Sequence, residues 1–314
     1  FGSASQRPDY NPLCPIVHQA LSGTLRRTAK VLHTEISSFL SQVEPTELSS
    51  RQRSEIVSRV RNAAQGLWKE ASVGPYGSFA TGLCLPHSDV DVLVTHPQGG
   101  DPRNMLHLLA RELREECWCS IVQRIDTAAV PVLKLRVDVT SLTCHPQGGE
   151  EGASSSAQKA NLPLTIPVDV TFHVTNKGKM REMGVGYAPL AGRDFVLAEL
   201  AACPEARSLV LVLKQLVHRH SVNDPYRGGL ASHTLTLLVL FWSRHFGEAG
   251  LKIDPELGHG ERLLRLLRWL SEFPFGHIGV EMGSRQGVYL ALTETGQRLL
   301  VHHSQSGLYA RQLV

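Results

Sequence analysis

The sequence predicts an α+β fold in two parts, a mixed sheet with helices followed by a mainly helical half. Three observations carry that prediction. Between residues 47 and 174, short β-type runs alternate with amphipathic helical stretches. From about residue 189 onward the pattern is almost entirely helical. Two of the later stretches, SLVLVLKQLV (208–217) and HTLTLLVLFW (233–242), are apolar nearly all round, as helices at the centre of a domain are.

Taken in order, residues 1–15 are rich in Pro, Ser and Asn and read as an irregular lead-in. Leu25, Ala29, Leu32, Ile36 and Leu40 recur at helical steps within 16–42. Ile56, Val57, Val60, Ala63, Ala64 and Leu67 do the same within 47–69. A short strand is expected at 72–76, a buried one at Val90–Val94, a helix at 104–116, and strands at 119–125 and 131–137. The stretch SLTCHPQGGEEGASSSAQKANL (141–162) is polar and low in complexity, and reads as a mobile insertion. The strand IPVDVTF (166–172) follows it. RLLRLLRWL (262–270) is an amphipathic helix, and strand-like pieces at 277–281 and 288–292 close the pattern.

Composition narrows the class without naming it. Apolar residues make up 42% and charged residues 19%, which is ordinary for a globular chain. The net charge of +3, from 32 basic and 29 acidic residues, is too mild to indicate a nucleic-acid partner. None of the six cysteines (Cys14, Cys84, Cys117, Cys119, Cys144, Cys203) forms a C-x-x-C pair, so they read as reduced intracellular thiols with no zinc site. No apolar run reaches the length of about 20 residues that spans a bilayer, so no membrane role is expected. The sequence opens at Phe1 and not at methionine, as a processed chain or a fragment would.

The chemistry is concentrated in GPYGSFATGLCLPHSDVDVLV (74–94). Asp89 and Asp91 stand two apart at the mouth of a strand, so their side chains point the same way and their carboxylates converge. Two close carboxylates repel unless a cation lies between them, and a hard divalent ion such as Mg²⁺ suits oxygen ligands. Gly77 and Ser78 precede the pair by a loop. Glycine lets backbone approach closely, and the loop N–H groups with the Ser78 hydroxyl can hold phosphate oxygens. A phosphate cradle beside a carboxylate pair is the arrangement of phosphoryl or nucleotidyl transfer. A lone D-x-D is more often an exposed strand end. The weight comes from the combination, with Thr81-Gly82-Leu83 and Pro86-x-Ser88 at set places between the two halves.

This combination resembles the DNA polymerase β superfamily of nucleotidyltransferases. Within it the chain looks like the noncanonical poly(A) polymerases, or terminal nucleotidyltransferases, especially the nuclear subgroup of the TRAMP RNA-surveillance complex. The likeness covers most of residues 30–295, and LVLVLKQLVHRHSVNDPYRGGLASHTLTLLVL (209–240) resembles that family's central-domain signature. It implies N-terminal helices (16–65) that pack with the helical half, a polymerase-β-like catalytic domain (66–185), and a helical poly(A)-polymerase-associated domain (186–314), with the nucleotide in the cleft between the last two.

The resemblance also implies a third acid on a neighbouring strand. The string V-D-V-T occurs twice, with Asp138 in one copy and Asp169 in the other. In the family the third acid follows a V-P-φ-φ-K-φ strand, matched by Val130–Leu135, across a loop, and an Asn follows it. Asp169, with Asn176 after it, is therefore favoured, and Asp138 reads as a solvated strand end.

Lys214 interrupts an apolar helix, where a lysine must be matched by an anion or snorkel to the surface. The resemblance gives it the nucleotide triphosphate. Ser232, after Gly228-Gly229-Leu230, is implied at the γ-phosphate, although a serine at a helix start is also a routine N-cap. His233 stands where many relatives carry a base-stacking tyrosine, and His218 where some carry a second lysine. The late Ile-x-Asp-Pro segment of many relatives is not found, since 299–305 read LLVHHSQ.

The reading is thus a two-metal, template-independent addition of nucleotides, AMP from ATP, to RNA 3′ ends, using Mg²⁺ or Mn²⁺ held by Asp89, Asp91 and Asp169. The resemblance further implies zinc-knuckle and helicase partners for RNA capture, and a nuclear location. The rivals are a uridylyltransferase using UTP, a transferase acting on a small molecule or protein, and an inactive RNA-binding or scaffold homologue.

Overall fold

The computed structural model describes residues 22–96, 100–128, 130–143, 164–174, 189–244 and 254–273. The lead-in, most of the insertion, Asn176, and the strand-like pieces expected at 277–281 and 288–292 lie outside the described residues.

The described chain runs α1 (Gly23–Val43), α2 (Glu47–Leu67), β1 (Ser72–Tyr76), α3 (Gly77–Ala80), β2 (Val90–His96), α4 (Pro102–Glu112), β3 (Cys119–Ile125), β4 (Val132–Asp138), β5 (Thr165–Val174), α5 (Pro189–Ala202), α6 (Ala206–Arg219), α7 (Ser232–Trp242) and α8 (Gly258–Glu272). It forms two compact units. One contains α1 and the helices from Glu199 onward, and the other is Val43–Ala198.

The sheet unit is built on five strands in the order β1-β2-β5-β4-β3. Among the described strands, only β2 and β5 run parallel. Period-2 alternation sets its buried face. Val90, Val92 and Val94 of β2, Leu133, Leu135 and Val137 of β4, and Ile166, Val168, Val170 and Phe172 of β5 form one core. Two helices cover that face. Thr46 caps α2 by accepting from the Ser49 N–H at 3.1 Å. Asp101 caps α4 the same way, with Pro102 at its first turn. Met105, Leu106, Leu109 and Ala110 of α4, and Ile56, Val57, Val60 and Ala64 of α2, complete the core.

The placement of α2 corrects the expected domain boundary. The resemblance puts both N-terminal helices with the helical half, yet the α2 stripe packs on the valine-rich face of the sheet. The two stripes look alike in sequence, and what separates them is the partner surface, which periodicity does not report.

In the helical unit, α6 and α7 contribute Leu209, Val210, Leu213, Leu238, Val239, Phe241 and Trp242 to the interior. Phe241 packs on Trp269 of α8 with ring centroids 5.9 Å apart. Helix α1 lies against the start of α8, where glycine makes the approach possible. A Cβ on Gly260 would sit 1.9 Å from the Ala29 carbonyl oxygen. His33 stacks on His259 beside this contact at 5.4 Å. Gly260→Ala must therefore push the helices apart. It is expected to lower stability by about 2 kcal/mol, the overpacking range, as a reduced midpoint in urea with unchanged slope.

Among the described residues, no helix is long and apolar enough to cross a membrane. Among the described residues, Cys84, Cys117, Cys119 and Cys203 are free thiols, and burial pushes Cys119 up to about 11.

Candidate active site

The parallel pairing of β2 with β5 sets Asp91 directly beside Asp169. Neighbouring strands lie about 4.8 Å apart and paired residues share a face, so both side chains rise from the face opposite the valine core. The same row extends outward to Tyr76 on β1, Lys134 on β4 and Gln123 on β3. Asp89 stands one residue before β2 and two before Asp91. All three carboxylates are partly exposed.

Gly77 closes this site from the other side. It has φ +64°, and a Cβ there would lie 2.0 Å from Asp91 Oδ2. Glycine is thus required both by backbone conformation and by the carboxylate in contact with it. The loop is braced from within. The buried Thr81 hydroxyl donates to the Gly77 carbonyl at 3.0 Å, and the Leu83 N–H donates to the Ser78 carbonyl at 2.9 Å. Gly77→Ala should displace Asp91 or the loop by about 1 Å. That is expected to cost roughly a hundredfold in any reaction that uses the carboxylate, read as the rate of nucleotide addition.

Asp138 lies elsewhere. It pairs with Thr165 at the loop end of the β4–β5 hairpin, four residues from the row that holds Lys134 and Asp169. That is roughly 13 Å along the strand. Its Oδ1 accepts from the Thr140 hydroxyl at 2.7 Å and the Thr140 N–H at 2.9 Å. These bonds, the hydroxyl first, hold its pKa below the usual carboxylate value.

Among the described residues, no three His, Cys, Asp or Glu side chains stand together as a preformed metal cage. Asp169 Oδ2 instead accepts from Lys134 Nζ at 2.5 Å. The donor set nevertheless fits a hard divalent ion. Asp91 and Asp169 are paired on neighbouring strands, Asp89 precedes Asp91 by two residues, and a glycine leaves the Asp91 oxygen clear of any side chain at that position.

Comparison with known proteins gives this arrangement a context. Residues 32–145 match the family described as poly(A) RNA polymerase, mitochondrial-like, central palm domain. Poly(A) RNA polymerase protein 2 of Saccharomyces cerevisiae is 29% identical over 255 residues, covering 81% of this chain and 37% of that protein. A solved structure of the polymerase core of TRAMP, an RNA surveillance complex, superposes with a TM-score of 0.63 at 26% identity, covering 84% of this chain and 71% of that one. Over most of its length the chain is similar to noncanonical poly(A) polymerases. It spans about a third of the length of the curated yeast relative. Another relative, Trf4-2 of Drosophila melanogaster, is 28% identical over 82% of this chain and 55% of its own length, and is named as an inactive polymerase.

Lys214, His218, Ser232 and His233, singled out in the sequence, lie in the helical unit. Lys214 is buried on α6, one residue after Leu213 and one turn after Val210, both interior positions. His218, one turn later, is exposed. Ser232 is the first residue of α7, not its cap. Ala231 holds the cap position, and no side chain makes a capping hydrogen bond. The plain N-cap reading of Ser232 is therefore set aside. His233 follows and is exposed.

Two residues of the candidate site are not singled out by the sequence pattern. Lys134 reads there only as part of a strand, and its partner becomes visible once register pairs it with Asp169. Arg53 on α2 is 2% exposed and donates to the backbone around Asp89. A signal for it exists, since 53, 56, 57, 60 and 64 form one helical stripe, and an arginine in such a stripe demands a partner.

Proposed function

We propose that this chain catalyses template-independent addition of nucleotides, AMP from ATP, to RNA 3′ ends. The observation that supports it is the in-register pair Asp91 and Asp169, with Asp89 two residues before Asp91 and Gly77 against the Asp91 carboxylate.

In this reading Asp89, Asp91 and Asp169 would hold Mg²⁺, with Mn²⁺ as a substitute. Bound ions would supply activation of the RNA 3′-hydroxyl and neutralisation of the departing pyrophosphate. The chain's own residues position the reactants. Gly77 and Ser78 offer backbone N–H groups and a hydroxyl to phosphate oxygens. Lys214 and Ser232 bind the triphosphate, Asn176 the nucleoside, and His233 faces the base. Lys134 balances Asp169 before the cation arrives. RNA capture draws on zinc-knuckle and helicase partners, and the RNA-surveillance setting of the structural relative favours a nuclear site of action. Against the inactive-homologue reading stands the presence of all three acids.

The test is a labelled RNA oligonucleotide incubated with Mg²⁺ and each NTP separately. ATP should give the longest products. A preference for UTP would keep the reaction class and make the chain a uridylyltransferase, whereas no extension with any NTP would sink the proposal. Lys214→Ala should raise KM for all four NTPs alike, by about tenfold, because it removes a charge-assisted contact to phosphates common to them. His233→Ala should instead change the ATP/UTP ratio by roughly fivefold, the scale of one weak stacking contact. An unchanged ratio would make residue 233 a structural helix residue.

A further inference from the structure

Arg53 occupies a position of α2 that faces the sheet unit's interior, beside Ile56 and Val57. Burying a guanidinium is costly unless its donors are satisfied. Here they are satisfied by backbone. Nη1 donates to the Ser88 carbonyl at 2.8 Å and, more weakly, to the Asp89 carbonyl at 3.5 Å. Nη2 donates to the Pro86 carbonyl at 3.1 Å. One side chain thus holds three carbonyls within the four residues that lead into β2.

The position of Asp89 explains why that matters. Asp91 is fixed by the sheet, paired to Tyr76 on one side and to Asp169 on the other. Asp89 lies outside that ladder. The pairing of β2 with β5 begins at Val90, and that with β1 begins at Asp91. Within the preceding turn, the Leu85 N–H donates to Ser88 Oγ and the Ser88 N–H to the Leu85 carbonyl, both at 2.9 Å. These bonds shape the turn but do not tie it to the helix layer. Arg53 does so. Its fork reaches from the helix to three carbonyls of the loop, which a single-headed side chain does not do.

Burial lowers the Arg53 pKa from its ordinary value, and the nearby Cys84 and Asp89 groups oppose that shift. An arginine remains cationic throughout the accessible pH range. A fixed positive charge therefore lies near the Asp89 carboxylate.

We propose that Arg53 is a positioning residue, which holds the Pro86–Asp89 backbone so that the Asp89 carboxylate is presented, together with Asp91, to a divalent cation. The inference rests on the nucleotidyl-transfer reading above, because it assumes that Asp89 and Asp91 share a metal. A purely structural Arg53 would affect the stability of the fold and leave metal affinity alone. A positioning Arg53 must change metal affinity in a protein that is still folded. Removal of groups that orient metal ligands typically weakens binding about 10–100-fold.

The experiment is a Mn²⁺ titration, followed by electron paramagnetic resonance, on the wild-type chain, Arg53→Lys, Arg53→Met and Asp91→Asn. Circular dichroism and thermal melts accompany each, and every titration is run below the melting point. Arg53→Lys keeps the stem and the charge, so it remains informative if Arg53→Met fails to fold. Its single ammonium cannot serve three carbonyls. The expected result is that Arg53→Lys has the wild-type circular dichroism spectrum and binds Mn²⁺ about tenfold or more weakly. The Mg²⁺ concentration for half-maximal RNA extension should rise by a similar factor. Wild-type Mn²⁺ affinity in Arg53→Lys overturns the positioning role while leaving the metal site in place. Equal binding by the wild type and Asp91→Asn, or none by either, overturns the metal reading itself and the Arg53 proposal with it.

Discussion

Asp91→Ala is expected to lower nucleotide addition by about a thousandfold or more, and Asp89→Ala by a similar factor. Each substitution removes a ligand proposed to be shared between the metals, and stabilisation of several kcal/mol at the reacting phosphate is lost with it. The fold should survive, because both side chains are partly exposed and stand on the side of the sheet away from its valine core. Removing one of several like charges also relieves repulsion, so the melting temperature should stay the same or rise in the absence of metal. Extension of an RNA primer under saturating ATP and Mg²⁺ measures the effect. Tailing at the wild-type rate by either variant would refute the assignment of the site.

The duplicated V-D-V-T string supplies the second large effect. Asp169→Asn should cost about a thousandfold in the same assay, since the substitution replaces the third carboxylate by a neutral amide of the same shape. Asp138→Asn should stay within about twofold, the size of a surface change. The contrast follows from register. Asp169 lies in the row of Asp91 and Lys134, whereas Asp138 is occupied at the hairpin end by two hydrogen bonds from Thr140. Inactivation by Asp138→Asn with a silent Asp169→Asn would show that the wrong copy was chosen. Asp169→Asn also removes the charge that Lys134 faces, so a metal-free melt that drops in this variant alone would report the ion pair directly.

Much of this site is legible in the sequence, for identifiable reasons. Asp89 and Asp91 can be placed because period-2 geometry is local, and Gly77 because a glycine before a metal pair implies close approach. That approach is to the Asp91 carboxylate itself. The β2–β5 contact is less legible, since pairing between strands so far apart in the chain is fixed by the whole sheet. Only the family resemblance makes Asp169 a candidate there. The packing of α2 is hidden because an amphipathic stripe declares a buried face without naming what covers it. Arg53 is hidden for a related reason. A stripe counted by its apolar members passes over the charged one as solvent-facing. Lys134 pairs with a residue 35 positions away, and such a contact becomes readable only once hairpin register is known.

The central claim is that Asp89, Asp91 and Asp169 support metal-dependent nucleotidyl transfer to RNA. The most direct measurement counts pyrophosphate released against nucleotides added to a labelled RNA, in the wild type and in Asp91→Asn, with Mg²⁺ and after chelation. The wild type should release one pyrophosphate per nucleotide added, and neither product should form in Asp91→Asn or after chelation. Extension that persists in Asp91→Asn, or that proceeds without a divalent cation, would contradict the claim.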